Sequence, residues 1–437
     1  MIKQCVIIAG GLGTRLSGIN ESLPKALTKI NDEPIIENQI KKLKNQGIKD
    51  LVLLLGHHAN QIIDHIGDGS NYGVSVNYVI EKKRLGTGGA LYNAINILQD
   101  EFLIIYGDIF FDISIKNFYE FHKNKETSTS ISLLVHPNDH PFDSDLVKIN
   151  DKSQVTEILP YPHEESLDYK NLVNAAAYIF KKESILNFKS DSEKFDIAKD
   201  LLPNLIKDGI RVYAYNTIEY LKDMGTPERL KKVKDDIASG KVFRRSHLNN
   251  EKEAIFLDRD GVVNYDTGHI SDVDDFILID GAAEGIKIFN KLGLLVIIVT
   301  NQPVIARGEL TFDGLAKIHM RMERLLGNEG AFIDDLFFCP HHPDSGFPGE
   351  IVSLKKSCNC RKPKTGMIDK ALDKYNISNE KSWMIGDRES DIKAGKDSGL
   401  KTVLIRSDHK IDALDFEADY SFENLIESAK FIESLEI

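Results

Sequence analysis

Ala254-Ile-Phe-Leu-Asp258-Arg-Asp260-Gly261-Val-Val263 is the stretch from which the second half of the chain is read. Four apolar residues run straight into two carboxylates and a glycine, as a buried strand does when it ends at a reaction centre. Alternate side chains of a strand share a face, so Asp258 and Asp260 look into one pocket while Gly261 lets the backbone turn away. An ordinary acidic turn would use the same residues. Three later stretches favour the reaction centre: Thr300-Asn301-Gln302 after the apolar run 295–299, Arg361-Lys362-Pro363, and Gly386-Asp387-Arg388-Glu-Ser-Asp391 after the run 383–385.

The order of these motifs resembles the haloacid dehalogenase phosphatases, and DRDG, TNQ, CRKP and GD together resemble the branch that holds the heptose bisphosphate and histidinol phosphatases. The likeness covers most of 254–437. It implies that Asp258 attacks phosphorus to give an aspartyl phosphate and that Asp260 protonates the leaving oxygen, then activates water. It also implies Mg²⁺ on Asp258, the Asp260 carbonyl and Asp387, with Lys362 and the Thr300 hydroxyl on the phosphoryl oxygens. Asn301, Gln302, Arg361, Arg388 and the loop Asp266-Thr-Gly268-His269 are then expected to face substrate. Pro303 and Val304 stand where the family has small residues, a change expected to reshape the sugar pocket.

Cys339-Pro-His341 and Cys358-Asn-Cys360 flank a Gly/Pro-containing loop too irregular to hold itself. Four soft ligands in two close pairs suit a tetrahedral structural Zn²⁺ clamping that loop; His342 is read as a bystander. The long loop between the pairs resembles the heptose bisphosphate branch more than the histidinol one. Cys5, Trp383, Met320 and Met322 are read as packing, the last two on an amphipathic helix over 312–326.

The chain has 437 residues, enough for two domains with cores of their own. Its apolar fraction of 42% and charged fraction of 28% are ordinary for a globular protein. A formal charge of −12 argues against a nucleic-acid partner. No apolar run approaches the ~20 residues that span a bilayer, and Met1-Ile-Lys-Gln lacks a signal-peptide pattern, so a cytoplasmic location with no membrane partner is expected. Four cysteines, three of them close together, do not make a disulfide framework.

The first half opens on Gln4–Ala9, an apolar run with the character of a buried parallel strand. Gly10-Gly11-Leu-Gly13-Thr14-Arg15-Leu16 and then Pro24-Lys25 follow at once, exposed backbone N–H groups and two cations where a triphosphate can lie. This combination resembles the sugar-1-phosphate nucleotidylyltransferases. The likeness implies that Arg15 and Lys25 brace the phosphates and that Glu81, Gly86 and Thr87 border the base. Asp108, after the run 102–106, and Asp223, before Gly225-Thr226-Pro227-Glu228, would be the Mg²⁺ pair, because two phosphate groups cannot meet without a cation between them. Either could instead be a capping aspartate. Asn174 marks the sugar site, although Val173-Asn174-Ala175-Ala176 carries alanine where the family has glycine, and Pro160-Tyr161 stands where a Glu-Lys pair is expected. The polar stretch 136–145 reads as a loop over the acceptor pocket or as a plain surface loop.

The expected organisation is α/β, two doubly wound, Rossmann-like domains: a nucleotidylyltransferase fold over 1–236, a charged linker over 237–253 and a haloacid dehalogenase-like fold with a zinc-clamped loop over 254–437. The combined resemblance is to GDP-D-glycero-α-D-manno-heptose synthesis. A heptose 1,7-bisphosphate loses its distal phosphate and the sugar 1-phosphate then receives a nucleotidyl group, GMP from GTP by the same likeness, with release of pyrophosphate. Two alternatives stand beside it. One is a mannose- or other hexose-1-phosphate nucleotidylyltransferase fused to a phosphatase of other specificity, such as histidinol phosphate; the other is a non-catalytic sugar-nucleotide sensor on a phosphatase. The partners are small sugar phosphates and a nucleoside triphosphate, and no oligomeric state is read from the sequence.

Overall fold

The structure, a computed structural model, describes residues 1–11, 24–125, 131–164, 166–346, 348–406 and 417–436. Contacts divide the chain into two units. Unit one comprises Met1–His136, Asp143–His163 and Leu172–Val242; unit two comprises Pro137–Phe142, Glu164–Asn171 and Phe243–Ile437.

The strands of unit one are β1 (Gln4–Ala9), β2 (Asp50–Leu55), β3 (Ser75–Ile80), β4 (Glu101–Tyr106), β5 (Ile109–Asp112), β6 (Ile131–His136), β7 (Leu146–Ile149), β8 (Val155–Leu159), β9 (Val173–Lys181), β10 (Val212–Asn216) and β11 (Tyr220–Asp223). Nine of them form one sheet in the order β8-β7-β9-β4-β1-β2-β3, with β6 joining β9 to β10. β1 is parallel to β2 and β4, whereas β9 runs antiparallel to β4, so the doubly wound half is continued by a mixed edge.

Period-two alternation explains why the central runs are apolar throughout. Cys5 and Ile7 of β1, Leu51, Leu53 and Leu55 of β2, and Leu103 and Ile105 of β4 join one core layer. Val6, Val52, Leu54, Phe102 and Ile104 join the layer on the opposite face. With both faces covered, polar groups come out only at the strand ends, and Gly10, Glu81 and Asp108 lie at or just past the C-terminal ends of β1, β3 and β4. β5 and β11 form a separate antiparallel pair that places Asp223 opposite Ile109, next to Asp108 in the chain.

Unit two has six parallel strands, β12 (Ala254–Leu257), β13 (Leu295–Asn301), β14 (Asp335–Cys339), β15 (Trp383–Gly386), β16 (Lys401–Ile405) and β17 (Tyr420–Phe422), in the order β14-β13-β12-β15-β16-β17. Asp258, Lys362 and Asp387 therefore meet at the C-terminal edge of the sheet, where β12 and β15 are neighbours. The helix expected over 312–326 is Phe312–Asn328; its Met322 is fully buried.

The domain boundaries differ from the expectation in two ways. First, the second unit begins at Phe243 rather than Ala254, because Arg245 is 5% exposed and anchors the join. Its guanidinium donates to the Gly293 and Leu294 carbonyls at 3.0 and 2.6 Å and to both oxygens of Asp334 at 2.5 and 3.0 Å. Second, Glu164–Asn171 belongs with unit two, where Asp168 accepts from Arg321 and Arg324 and the Asn171 N–H donates to Glu323 at 2.6 Å. Arg245→Ala would leave the Asp334 carboxylate buried without its cation. We expect a loss of about 3–5 kcal/mol in the stability of unit two, read from denaturant unfolding followed by Trp383 fluorescence.

Candidate functional site

The backbone of β12 continues past Leu257 far enough for the Asp258 N–H to bond the Ile385 carbonyl at 3.0 Å, which fixes the carboxylate over β15. Asp258 Oδ1 meets Lys362 Nζ at 2.9 Å, and the same ammonium meets Asp391 Oδ1 at 2.7 Å. Burial pushes the Asp258 carboxyl up to about 6, with Lys362 acting in the opposite sense. At neutral pH it is therefore mostly ionised, as a nucleophile must be.

Gly261 has φ +86°, and a Cβ there would lie 2.3 Å from Asp387 Oδ2. Only glycine lets the turn pass so close to that carboxylate. Burial and the charges of Asp258 and Asp391 raise the Asp387 carboxyl to about 8. Asp387 Oδ1 is buried and has no hydrogen-bond partner among the described residues. Carboxylate oxygens of Asp258, Asp387 and Asp391 lie within 4.8 Å of one another. Three carboxylates sharing one buried lysine leave an excess of negative charge, and a hard divalent cation fits that donor set.

Asp260 is held differently. Arg259, 1% exposed, reaches Asp260 Oδ1 at 2.8 Å and Oδ2 at 3.0 Å; Asn264 and Gln302 donate to it at 3.0 and 2.7 Å. Burial opposes ionisation there, but Arg259 and these amides outweigh it and keep the carboxyl below its ordinary range. His319 Nε2 faces Arg259 Nη1 at 3.3 Å. The sequence reading did not single out Arg259, Asn264 or His319, and it gave Asp391 no role; Asp391, four residues after Asp387 on a helix and so on the same face, was the one with a readable signal.

Other expected site residues are placed as supports. Asn301 Oδ1 accepts from the Lys362 N–H and Asn301 Nδ2 donates to the Lys362 carbonyl, at 3.0 and 3.1 Å, so it sets the lysine. Gln302 also donates to the Thr300 hydroxyl at 2.9 Å. Arg388 pairs with Asp266, whose Oδ1 accepts from the Gly268 N–H; His269 faces Arg307 and Glu309 at 3.0 and 3.1 Å. Arg361 donates to the His341 carbonyl at 3.2 Å. Val304 turns into a small cluster with Ile305 and Leu315, so its departure from the family pattern is absorbed in packing.

The four soft ligands converge. Cys339, Cys358 and Cys360 sulfurs stand 3.5, 3.3 and 3.2 Å apart pairwise, His341 Nδ1 lies 3.7 and 3.3 Å from Cys339 and Cys360, and none of the cysteines is disulfide-bonded. These are ligand-to-ligand separations of a tetrahedral S₃N site. His342 lies outside that group and instead accepts from the Asp344 N–H at 3.1 Å.

In unit one, Gly13, Thr14 and Arg15 lie outside the described residues. Gly10 and Gly11 close β1, and Glu81 sits over that turn: its Oε1 would be 2.9 Å from a Cβ at Gly10, and its Oε2 accepts from the Leu85 N–H at 3.0 Å. Lys25 Nζ stands 3.7 Å from Asp108 Oδ2. Asp108 is raised by burial, lowered by Lys25 and raised again by Asp223, so the two carboxylates of the expected metal pair feel one another. The Met224 N–H bonds the Asp108 carbonyl at 2.8 Å. Gly86 has φ +71° and no room for a Cβ against the Phe195 carbonyl. Thr87 donates to Asp196 at 2.8 Å and accepts from the Ile197 N–H. Asn174 is spent at both ends, on Tyr178 Oη at 2.9 Å and the Ala176 N–H at 3.1 Å. Ala176, in the family's glycine position, keeps φ +50° in an irregular stretch of β9, so the left-handed backbone is retained at a steric cost of about 1–2 kcal/mol.

No helix among the described residues is long and apolar enough to cross a membrane. Residues 4–240 match the family model described as nucleotidyl transferase, and residues 359–428 one described as HAD-hydrolase-like. A D-glycero-beta-D-manno-heptose-1,7-bisphosphate 7-phosphatase of Pasteurella multocida (strain Pm70) is 37% identical over 186 residues, 42% of this chain and 98% of the relative. Among solved structures, HddC from Yersinia pseudotuberculosis is 27% identical, with 54% of this chain and 100% of that one covered and a TM-score of 0.47. D,D-heptose 1.7-bisphosphate phosphatase from B. bronchiseptica, complexed with magnesium and phosphate, is 29% identical, with 42% and 99% covered and a TM-score of 0.37.

Proposed function

From a chain that belongs to the nucleotidyl transferase family through its first half and to the heptose bisphosphate phosphatase family through its second, we propose a bifunctional enzyme of nucleotide-activated heptose synthesis. It removes the 7-phosphate of D-glycero-D-manno-heptose 1,7-bisphosphate and transfers a nucleotidyl group to the resulting heptose 1-phosphate, releasing pyrophosphate. The observation that carries this reading is the joint presence of the two families in one chain, since the product of one reaction is the substrate of the other. GTP is the nucleotide we assign, on the sequence resemblance described above.

In the phosphatase, Asp258 attacks the distal phosphorus, the bond to the sugar O7 breaks, and Asp260 delivers a proton to that oxygen. Water, deprotonated by Asp260, then cleaves the aspartyl phosphate and frees inorganic phosphate. Lys362, held by Asp258, Asp391 and the Asn301 amide, neutralises the phosphoryl oxygens. Asp258, Asp387 and the Asp260 carbonyl would hold Mg²⁺, which when bound supplies the charge that lets a carboxylate approach a phosphate dianion. In the transferase, Lys25 and Arg15 brace the triphosphate, the acceptor phosphate attacks the α-phosphorus in line, and pyrophosphate leaves. Asp108 and Asp223 would hold the cation of that step.

We assign Zn²⁺ to Cys339, His341, Cys358 and Cys360, on the softness of the donors and their spacing. Stripping it with a strong chelator is expected to release about one equivalent of zinc by metal analysis and to expose the 340–357 loop to protease, because a structural zinc holds its ligands' loop closed. Retention of protease resistance after complete zinc loss would count against a clamp.

The reading is tested by ³¹P NMR of the enzyme with the bisphosphate, both anomers in turn, and Mg²⁺. Without nucleotide, the ester at C7 should vanish and that at C1 persist. Loss of the C1 ester, or turnover of histidinol phosphate in preference, would overturn it.

A further inference from the structure

Arg229 lies in the first turn of the helix Pro227–Ala238. A cation is disfavoured there, because the unpaired N–H groups of a helix start already carry partial positive charge. Two carboxylates offset that cost. Arg229 Nη1 donates to Asp223 Oδ1 at 2.7 Å and Nη2 donates to Asp143 Oδ2 at 2.8 Å, across 86 residues of sequence. The Thr226 hydroxyl caps the same turn by accepting from the Arg229 N–H at 3.3 Å, which fixes where the side chain starts. Asp223 is further oriented by the Gly225 N–H at 3.1 Å. Asp143 ends the short turn Pro141–Asp143 inside the polar stretch 136–145. One planar fork thus joins a carboxylate of the expected metal pair to the turn that was read as lying over the acceptor.

We propose that Arg229 is a positioning residue of nucleotidyl transfer: anchored on Asp223, it sets the Asp143 turn and so shapes the acceptor side of the site. Only a planar, two-ended donor makes both contacts at once; an ammonium is a point charge that keeps one. The nucleotide side is served by other groups, Lys25 and the glycine turn after β1. The acceptor sugar phosphate is therefore the ligand that loses affinity when the fork is removed.

This rests on the transferase reading given above. The experiment follows pyrophosphate release by the full-length chain from heptose 1-phosphate, GTP and Mg²⁺ in Arg229→Ala, Arg229→Lys, Asp143→Asn and the double variant Arg229→Ala/Asp143→Asn. Arg229→Ala should raise the acceptor KM about tenfold, with the GTP KM and kcat within about twofold of the parent. Asp143→Asn should do the same, and the double variant should be no worse than either, because the two act as one unit. Arg229→Lys should recover less than half of the loss. A parallel rise in the GTP KM, a fall in kcat at an unchanged acceptor KM, or additive effects in the double variant would overturn the proposal. An unmodified enzyme that gives no pyrophosphate from heptose 1-phosphate would instead overturn the substrate reading, leaving the two failures distinct.

Discussion

Asp258→Asn should lower phosphate release from the heptose bisphosphate by about 10⁴-fold or more while leaving pyrophosphate release from supplied heptose 1-phosphate within about twofold. Asparagine keeps the shape and the contact with Lys362 but cannot attack phosphorus. The loss is therefore chemical and local. Asp258 has the features a nucleophile needs: it is buried, it ends a strand fixed on both sides by parallel neighbours, and a lysine 2.9 Å away keeps it mostly ionised at neutral pH despite that burial. Parallel colorimetric assays for phosphate and pyrophosphate on one preparation make the check. Phosphate release within tenfold of the parent would remove Asp258 from the role.

Asp108→Asn should have the converse signature, a fall of about 10³-fold or more in pyrophosphate release with phosphate release untouched. Its carboxylate is buried beside Lys25 and feels Asp223, an arrangement of two acids that calls for a cation. Asparagine would keep the packing while removing half of the charge the cation needs. Unchanged pyrophosphate release at limiting Mg²⁺ would show that the pair is not where the metal sits. Taken together, the two variants also ask whether the activities are separable within one chain.

Much of this was legible in the sequence because the chemistry lies where strands end. The runs Gln4–Ala9, 102–106 and 254–257 are apolar without alternation, which announces strands covered on both faces, and the polar residue that breaks each run is a site residue. Cys339, His341, Cys358 and Cys360 were legible for the same kind of reason, as ligand types in close pairs. Arg259 was not. Between two catalytic carboxylates it reads as a residue on the far face of a strand, but the chain leaves strand geometry at Asp258 and the long side chain folds back onto Asp260. Nor can a sequence show that Asn301 and Asn174 spend their amides on the protein itself, or that Ala176 holds a left-handed backbone that the missing glycine would have marked. Arg245 looked like part of a charged linker because its partners, Gly293, Leu294 and Asp334, lie 48 residues or more away.

The account as a whole turns on whether the two reactions run in series on one sugar. The most direct measurement incubates the enzyme with D-glycero-D-manno-heptose 1,7-bisphosphate and Mg²⁺, adds ATP, CTP, GTP and UTP in separate reactions, and records phosphate and pyrophosphate in each. Phosphate in all four, with pyrophosphate following it only with GTP, is the predicted result. Phosphate in all four with pyrophosphate in none would contradict it, and would leave the first half of the chain to a hexose phosphate or to a sensing role.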